Sequence, residues 1–211
     1  MIVKNNHVSI SEAEITDLGT TISMLASGTS KSLAMMTGEE YTYSFGRINE
    51  VKPQYVDQLV QLFNEELCAV YLRADGDVTV GMMLFLTHEQ ARQLARRLLG
   101  NNDLKELDIL GRSSISEVGN ILFAGSFLND MAKYTGFKMK CSVPGFATDT
   151  IHGIIEFPIS DIAATDNILV IAESELVGKI TGTRIKVLII MGITDARKLA
   201  ASTGTPKRKS E

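Results

Sequence analysis

The chain has 211 residues, of which 45% are hydrophobic and 22% charged, and its formal net charge is −4. This composition is typical of a globular protein that buries a substantial core, and so mild a negative charge argues against nucleic acid as the main partner. No apolar run approaches the roughly 18 residues that a membrane-spanning helix needs, and the first residues do not resemble a secretory signal. We therefore expect a cytoplasmic protein without membrane insertion.

The residues that usually carry catalysis or bind metals are few and scattered. Cys68 and Cys141 lie in apolar runs without a paired spacing, which favours two reduced thiols over a disulfide. His7, His88 and His152 have no ligand-like spacing, so we expect no metal site and no cofactor held by the chain itself. Phosphate-binding loops and nucleophile elbows are absent as well. Any chemistry must therefore depend on a small set of residues.

Apolar spacing and turn signals define the first half of the chain. A glycine-containing turn at 75–77 joins two β-rich runs and predicts a hairpin, and Thr87 with Gln90 forms a capping-box pattern. Gly38 and Gly100 supply helix stops. The predicted elements are a helix at 11–37, a strand at 41–45, a short helix at 54–63, strands at 67–74 and 78–86, and a helix at 87–99.

The same order of elements begins again in the second half. A second long helical pattern stops at Gly136, which is 98 residues after the stop at Gly38, and a strand pattern follows in both places. An internal duplication explains this repetition and predicts pseudo-two-fold symmetry. The predicted elements are a helix at 107–134, a strand at 138–143, a connector, and β-rich runs at 167–173 and 184–191.

These patterns predict a single α+β domain over residues 1–194. Repeat one occupies about 10–100 and repeat two about 105–194, and two long helices are expected to pack on a shared, largely antiparallel sheet. Residues 195–211 lose the apolar periodicity and carry a basic cluster at 207–209, which is typical of a disordered, solvated tail.

The stretch SEVGNILFAG, residues 116–125, carries two polar side chains in an otherwise apolar helical pattern. Glu117 and Asn120 are three residues apart and so share one helix face, which the spacing places within a broad apolar arc. An unpaired carboxylate is costly to bury. In a structural interpretation, Asn120 bonds a loop carbonyl and Glu117 pairs with a lysine on an ordinary core helix. In a functional interpretation, the two side chains form a site.

The wider pattern favours the functional interpretation. Ser113, Glu117 and Asn120, followed by residues 121–128 (ILFAGSFL) and by Pro144, resemble the signature of the CheC-type chemotaxis phosphatases, a family that includes CheC, CheX and FliY. The duplicated layout and the chain length are also similar to that family, over nearly the whole chain apart from the tail. The resemblance implies an internally duplicated CheC-like domain that dephosphorylates a phosphorylated CheY-type response regulator.

The resemblance also implies a role for each motif residue. Asn120 is expected to orient the water that attacks the aspartyl phosphate, and Glu117 to engage the receiver lysine beside it, since phosphoryl transfer depends mainly on positioning and charge. Ser113 is expected to support the pair. Pro144, one residue further from Asn120 than is usual in the family, is expected to shape the nearby backbone. The residues expected to dock the receiver are Ile121, Ala124, Phe127 and Leu128.

The first long helix carries no clear second copy of the motif. The offset of 98 residues pairs Glu117 and Asn120 with Gly19 and Ile22, and a two-residue slip pairs them with Asp17 and Thr20. Neither alignment restores both a glutamate and an asparagine, and Gly46 stands where a proline would follow the first strand. We therefore predict a variant of the family with a single active site and a degenerate first copy.

Two functions remain open from the sequence. The first is an enzyme, a protein aspartyl-phosphate phosphatase whose Mg²⁺ is held by the partner receiver domain. The alternative is a non-catalytic module that binds the phosphorylated regulator or the receptor deamidase CheD. A measurable turnover by the purified protein distinguishes the two.

Overall fold

The computed structural model describes residues 9–56, 65–164 and 166–202, without the side chain of Ser27. In these ranges a seven-stranded antiparallel sheet separates two hydrophobic layers. The larger layer is formed with the two long helices and with the helix that follows each hairpin, and the smaller layer with the helix Ile151–Ala163. The predicted α+β class, with long helices on a shared antiparallel sheet, is confirmed.

The first repeat begins with helix α1, Glu12–Thr37. Its first turn is a capping box, in which the Ser11 hydroxyl accepts from the Glu14 N–H and the Glu14 carboxylate accepts from the Ser11 N–H. The helix ends at Gly38, which is left-handed with φ 67°. The elements that follow are β1 (Tyr41–Val51), a short 3₁₀ turn (Pro53–Tyr55), β2 (Leu67–Gly76), β3 (Val80–Thr87) and α2 (His88–Leu99).

The second repeat begins with a helix that runs without interruption from residue 109 to residue 135. Its parts are α3 (Ile109–Asn120), a π-helical segment (Ile121–Leu128), called the π segment below, and α4 (Asn129–Thr135). It ends at Gly136, which is left-handed like Gly38, with φ 76°. The elements that follow are β4 (Met139–Cys141), β5 (Gly145–Asp149), α5 (Ile151–Ala163), β6 (Leu169–Gly178), β7 (Arg184–Gly192) and α6 (Ile193–Ser202).

Strand pairing relates the two repeats by a pseudo-two-fold axis. The sheet order is β1-β6-β7-β3-β2, with β4 and β5 both paired to β2. Exchanging β2 with β6, β3 with β7, and β1 with β4 and β5 gives the same order read from the other edge of the sheet. Thr87 of β3 and Gly192 of β7 each pair with the first residue of their hairpin partner, which makes Met83 the counterpart of Leu188. These two counterparts pair with each other, so the axis passes between them. The predicted duplication is confirmed.

The two long helices cross close to this axis. Ser32 Oγ of α1 lies 2.6 Å from Ser126 Oγ of the π segment. One turn away, Gly28 of α1 faces Asp130 of α4, and a Cβ on Gly28 would come within 2.6 Å of the Asp130 carboxylate. The crossing fixes the π segment firmly against the first repeat.

The predicted tail is wrong for residues 195–202. They belong to α6, whose Ala196, Leu199 and Ala200 are buried against the larger layer. Repeat two therefore extends at least to Ser202 instead of stopping at residue 194, and α6 is the counterpart of α2. Two of its four buried residues are alanines, which give a weak apolar signal in a sequence. Residues 203–211 lie outside the described residues.

Two further regions differ from the sequence prediction. The connector of repeat two contains β5 and α5, and the buried face of α5 consists of isoleucines around Pro158. Gly153 and Pro158 interrupt the helical pattern in the sequence and concealed it. The short helix expected at 54–63 lies mostly outside the described residues, which show the 3₁₀ turn and the buried Val56.

Cys68 is buried and Cys141 half-buried, and both are free thiols. Burial raises the pKa of each thiol above its ordinary value, which keeps both protonated near neutral pH. None of the helices in the described ranges is long and apolar enough to cross a membrane.

Candidate functional site

The predicted pair lies on the accessible face of α3. Glu117 is exposed and Asn120 is half-buried, and Asn120 Nδ2 donates to Glu117 Oε2 at 3.4 Å. Ser113 is exposed one turn earlier on the same face. Within the described residues Glu117 forms no ion pair. The pair is therefore at the solvent edge of the apolar arc and open to a partner, which the structural interpretation did not predict.

The opposite face of α3 fixes the direction in which the pair points. Ile115 and Val118 are fully buried in the larger layer. A Cβ on Gly119 would lie 2.7 Å from Val70 Cγ1, so the helix approaches β2 more closely than any other residue type would allow at this position. Because this face is anchored on the sheet, Glu117 and Asn120 are held outwards on a rigid support.

The predicted docking residues divide into two groups. Ile121 and Ala124 are half-buried and lie on the accessible face beside Asn120. Phe127 is only 1% exposed and Leu128 only 8% exposed, because they turn into the core where the second helix crosses α1. The docking prediction is wrong for Phe127 and Leu128, whose role is to hold the helix in place.

The structure also shows exposed apolar residues around the pair that the sequence analysis did not identify. Leu110 is 61% exposed and lies seven residues before Glu117, so both are on one helix face. Val143 is 86% exposed in the loop between β4 and β5, and Ile109 is exposed at the start of α3. The spacing of Leu110 gave a usable signal. Val143 gave none, since it continues an apolar strand pattern.

Pro144 lies in the break between β4 and β5, where pairing with β2 is interrupted. Leu72 of β2 is opposite this break and also underlies α3, because a Cβ on Gly119 would lie 3.1 Å from Leu72 Cδ1. Pro144 is therefore at the same level of the sheet as the Glu117–Asn120 turn. Its counterpart, 98 residues earlier, is Gly46, which lies at the bulge in β1.

The π segment gives the second long helix one more residue than α1. The two helices have 26 and 27 residues, the latter in parts of 12, 8 and 7. Their N-caps, Ser11 and Asp108, are 97 residues apart, whereas their C-caps, Gly38 and Gly136, are 98 residues apart. The burial pattern changes from the first offset to the second within the π segment. An inserted residue of this kind is what a π-bulge accommodates.

The offset of 97 applies to the site, because the site precedes the insertion. The counterparts of Glu117 and Asn120 in α1 are therefore Thr20 and Ser23, and burial agrees at both positions. The Thr20 hydroxyl donates to the Thr16 carbonyl oxygen of its own helix at 2.9 Å. The first copy thus has two hydroxyls where the second has a carboxylate and an amide.

This register corrects both alignments made from the sequence. The first alignment used the offset of 98, which holds only beyond the insertion, and gave Gly19 with Ile22 as the counterparts. The second shifted that alignment by two residues and gave Asp17 with Thr20. Ile22 is buried and is the counterpart of Gly119, and Asp17 is the counterpart of Ser114. The inference that the first helix lacks the Glu/Asn pair is unchanged.

In the part of the chain that the structure describes, no three His, Cys, Asp or Glu side chains cluster as a metal site would require. Glu117 and Asn120 offer one anionic and one amide group at the surface. Such a pair is suited to holding a cation and a water molecule supplied with a partner, and neither residue is a nucleophile activated by a neighbouring base.

No protein-family model matches the chain. The chain is similar to the CheY-P phosphatase CheC of Bacillus subtilis (strain 168), with 28% identity over 127 residues, 57% of this chain and 60% of CheC. It therefore spans about three-fifths of the length of this curated relative.

Solved structures share the fold over most of the chain. FliY of Thermotoga maritima has a TM-score of 0.74 at 17% identity, covering 92% of this chain and 98% of FliY. FliM from its complex with SpeE of H. pylori has a TM-score of 0.68 at 9% identity, covering 96% and 100%. CheX in a complex with CheY, BeF3 and Mg²⁺ from Borrelia burgdorferi has a TM-score of 0.58 at 19% identity, covering 81% and 97%.

The sequence similarity to CheC and the structural similarity to FliY and CheX point to the same group of proteins. The internal duplication and the exposed Glu117–Asn120 pair agree with the motif found in the sequence. In sequence and in fold, this chain is therefore similar to the CheC/CheX/FliY-type chemotaxis proteins.

Proposed function

We propose that the chain accelerates hydrolysis of the aspartyl phosphate on a CheY-type response regulator. The observation that carries the proposal is the Glu117–Asn120 pair, held 3.4 Å apart on the accessible face of α3. Two similarities support it: a curated relative is named a CheY-P phosphatase, and the CheX neighbour was solved with CheY, BeF3 and Mg²⁺. Because its substrate would be an intracellular signalling protein, the proposal also places the chain in the cytoplasm.

Asn120 is the proposed catalytic residue. Its Oδ1 accepts a hydrogen bond from a water molecule and holds it in line with the phosphorus atom. The water oxygen bonds to phosphorus as the bond from phosphorus to the aspartate oxygen breaks, and inorganic phosphate leaves with the protons of the water. Phosphoryl transfer has a loose transition state, so alignment and charge stabilisation matter more than a strong base. Mg²⁺ bound in the receiver would supply part of that charge.

Glu117 is proposed to form an ion pair with the receiver lysine beside the phosphoaspartate. At 3.4 Å its present hydrogen bond from Asn120 is long for an N–H···O contact. Breaking that bond therefore costs little free energy, and the charge-assisted bond to a lysine that replaces it is stronger. This exchange would bring the receiver against α3 and leave the Asn120 amide beside the phosphoryl group.

The proposed docking surface surrounds the pair on α3 and the adjoining loop. Exposed apolar residues are the ones that gain most from contact with a partner. Ser113 lies one turn before Glu117 and is proposed to support it, and Pro144 holds the loop at the level of the pair. The apolar members of the surface are Leu110, Ile121, Ala124 and Val143.

A binding module without turnover is the alternative. It is favoured by the fold shared with FliM, at a TM-score of 0.68, and by the presence of the pair in one repeat only. Such a module would hold the phosphorylated regulator, or CheD, without hydrolysis.

Release of phosphate from a receiver domain tests the proposal. A receiver labelled with ³²P on its aspartate is mixed with the purified chain in Mg²⁺ buffer, and the decay is compared with that of the receiver alone. Faster decay at catalytic amounts of the chain supports the phosphatase. Stable binding of the phosphorylated receiver at an unchanged decay rate overturns it in favour of the binding module.

A further inference from the structure

The extra residue of the second long helix lies on the accessible face, directly after the pair. The burial pattern follows the offset of 97 as far as Phe123 and the offset of 98 from Phe127 onwards. The contacts Ser32–Ser126 and Gly28–Asp130 exchange under the pseudo-two-fold axis only if Ser126 is the counterpart of Gly28, at the offset of 98. The insertion therefore falls at Ala124 or Gly125, one turn beyond Asn120. The repeat with the Glu/Asn pair is the one that carries the insertion, and α1 passes through the same crossing as a regular helix.

A side chain bonds the helix backbone at the insertion. In a regular α-helix the Asn129 N–H would bond the Gly125 carbonyl oxygen, but here it bonds the Ser126 carbonyl oxygen instead. Asn129 Nδ2 donates to the Gly125 carbonyl oxygen at 2.8 Å. Asn129 therefore closes the bulge from outside the helix.

The bulge alters the surface beside Asn120. Ala124 is half-buried and Gly125 exposed, so two consecutive small residues are accessible there. A Cβ on Gly125 would meet only the Ile121 side chain, at 3.8 and 4.0 Å, so a partner can approach the backbone closely. The Ser32–Ser126 contact anchors the opposite side of the same turn on α1. Since α1 holds that side of the turn, the extra residue is carried on the solvent-facing side, where Gly125 is exposed.

We propose that the π segment is a docking element for the receiver, and that Asn129 is the positioning residue that holds it in shape. The accessible backbone at residues 124–125 would contact the receiver next to the Asn120 amide and exclude bulk water from it. This inference rests on the proposed function for the identity of the partner, but it concerns binding and does not depend on turnover.

Affinity for a receiver loaded with BeF₃⁻ and Mg²⁺, measured by calorimetry, tests the proposal. Deleting Gly125 converts the segment to the regular helix that α1 already has at the same crossing, so the fold is expected to survive. We expect the deletion to weaken binding by about tenfold or more, the equivalent of one good contact. A folded deletion variant that binds with the wild-type affinity overturns the proposal.

Asn129 gives a second test that does not depend on a deletion. Asn129→Ala should weaken binding severalfold and speed amide hydrogen exchange within residues 121–129, and Asn129→Ser should restore both, since a serine hydroxyl can bond the carbonyl four residues earlier. Thr16→Ala is the matched control, because it removes the same type of bond, 2.8 Å to the Glu12 carbonyl oxygen, from the regular helix α1. Equal affinity of Asn129→Ala and Thr16→Ala overturns the proposal.

Binding and hydrolysis measured on the wild-type chain distinguish a failure of this inference from a failure of the proposed function. If the wild type binds the loaded receiver without accelerating hydrolysis, the phosphatase fails while the docking proposal is decided by the variants. If the wild type does not bind a panel of loaded receivers, both fail together.

Discussion

Asn120 Nδ2 lies 3.4 Å from Glu117 Oε2 across a single turn of α3, and both residues are accessible from the same side. The bond uses the amino end of the amide, so the carbonyl end is available to accept a hydrogen bond from water. A single weak contact thus sets the orientation of the proposed catalytic group and holds the carboxylate until a cation replaces it. The functional account depends on this relationship.

Replacing Glu117 with glutamine tests the proposed ion pair. Glu117→Gln keeps the size of the side chain and removes its charge, so we expect about tenfold weaker binding of a BeF₃⁻-loaded receiver at low salt. The variant should also lose part of the salt dependence of binding, because screening acts on the ion pair. Calorimetry at two ionic strengths measures both effects.

Asp17→Asn is the matched control for Glu117→Gln. Asp17 is an exposed acid on α1 that the sequence placed in the degenerate copy, but the structural register removes it from that position. The control is expected to bind as the wild type does. A comparable loss in Asp17→Asn would show that the first helix also engages the receiver.

The number of receivers bound per chain tests the single-site inference. Thr20 and Ser23 occupy the positions of Glu117 and Asn120 in α1, and the Thr20 hydroxyl is bonded to its own helix. We therefore expect calorimetry to give one loaded receiver per chain. A stoichiometry of two would mean that the two hydroxyls suffice for docking.

Core and surface residues near the pair should respond differently to substitution. Val143→Ser removes an exposed apolar side chain, so it should leave the free energy of unfolding nearly unchanged and weaken receiver binding. Phe127→Ala should lower the free energy of unfolding by about 3–5 kcal/mol, because Phe127 is fully buried. Urea denaturation and calorimetry on both variants measure this division. If Phe127→Ala weakens binding at unchanged stability, Phe127 faces the partner after all.

The surroundings of Glu39 lead to a prediction about how the free energy of unfolding depends on pH. Its side chain is fully inaccessible, 3.2 Å from Arg97, and it accepts from the backbone N–H groups of Ile180 and Thr181, so it ties repeat one to the β6–β7 turn. Burial raises the pKa of this carboxyl, but the backbone N–H groups, the Thr181 hydroxyl and the Arg97 charge outweigh burial and hold the pKa below its ordinary value.

A lowered pKa fixes the direction of the effect. Since the folded pKa lies below the unfolded one, the contribution to stability is complete above the unfolded pKa, about 4.3, and is lost as the pH falls through the folded pKa. Glu39→Gln should be less stable than the wild type at pH 7 and should lose less stability between pH 5 and pH 3. Urea denaturation across this range measures the difference.

Glu40→Gln is the matched control for Glu39→Gln. Glu40 is the neighbouring exposed acid, paired with Lys179 at 2.6 Å on the surface, where an ion pair contributes little. An equal change in both variants would contradict the role given to Glu39.

The duplication and the site helix could be predicted from the sequence because both depend on local signals. The stops at Gly38 and Gly136 and the capping box at Thr87 are fixed by backbone geometry that few residues allow. The pairing of Glu117 with Asn120 needs only the helical period. The fold class followed from the order of these elements.

The remaining errors came from features that depend on tertiary contacts. A one-residue π insertion leaves the apolar pattern almost intact, so the offset read at Gly136 was carried across it and gave the wrong partner in α1. Phe127 looked like a surface anchor because nothing in the sequence shows that α1 crosses there. Residues 195–202 looked like a tail because Leu199 is the only large apolar residue among them, and the other buried residues in this range, Ala196 and Ala200, give a weak apolar signal.

Hydrolysis of phosphorylated receiver in the presence of Asn120→Ala is the most direct test of the central claim. Asn120 is half-buried at the surface, so its truncation should leave the unfolding temperature nearly unchanged. Loss of a group that positions the attacking water should lower the stimulated rate by on the order of a hundredfold, to the decay of the receiver alone, while Thr20→Ala retains the wild-type rate. Stimulated hydrolysis that survives in Asn120→Ala at full receiver saturation would contradict the assignment of Asn120 as the catalytic residue.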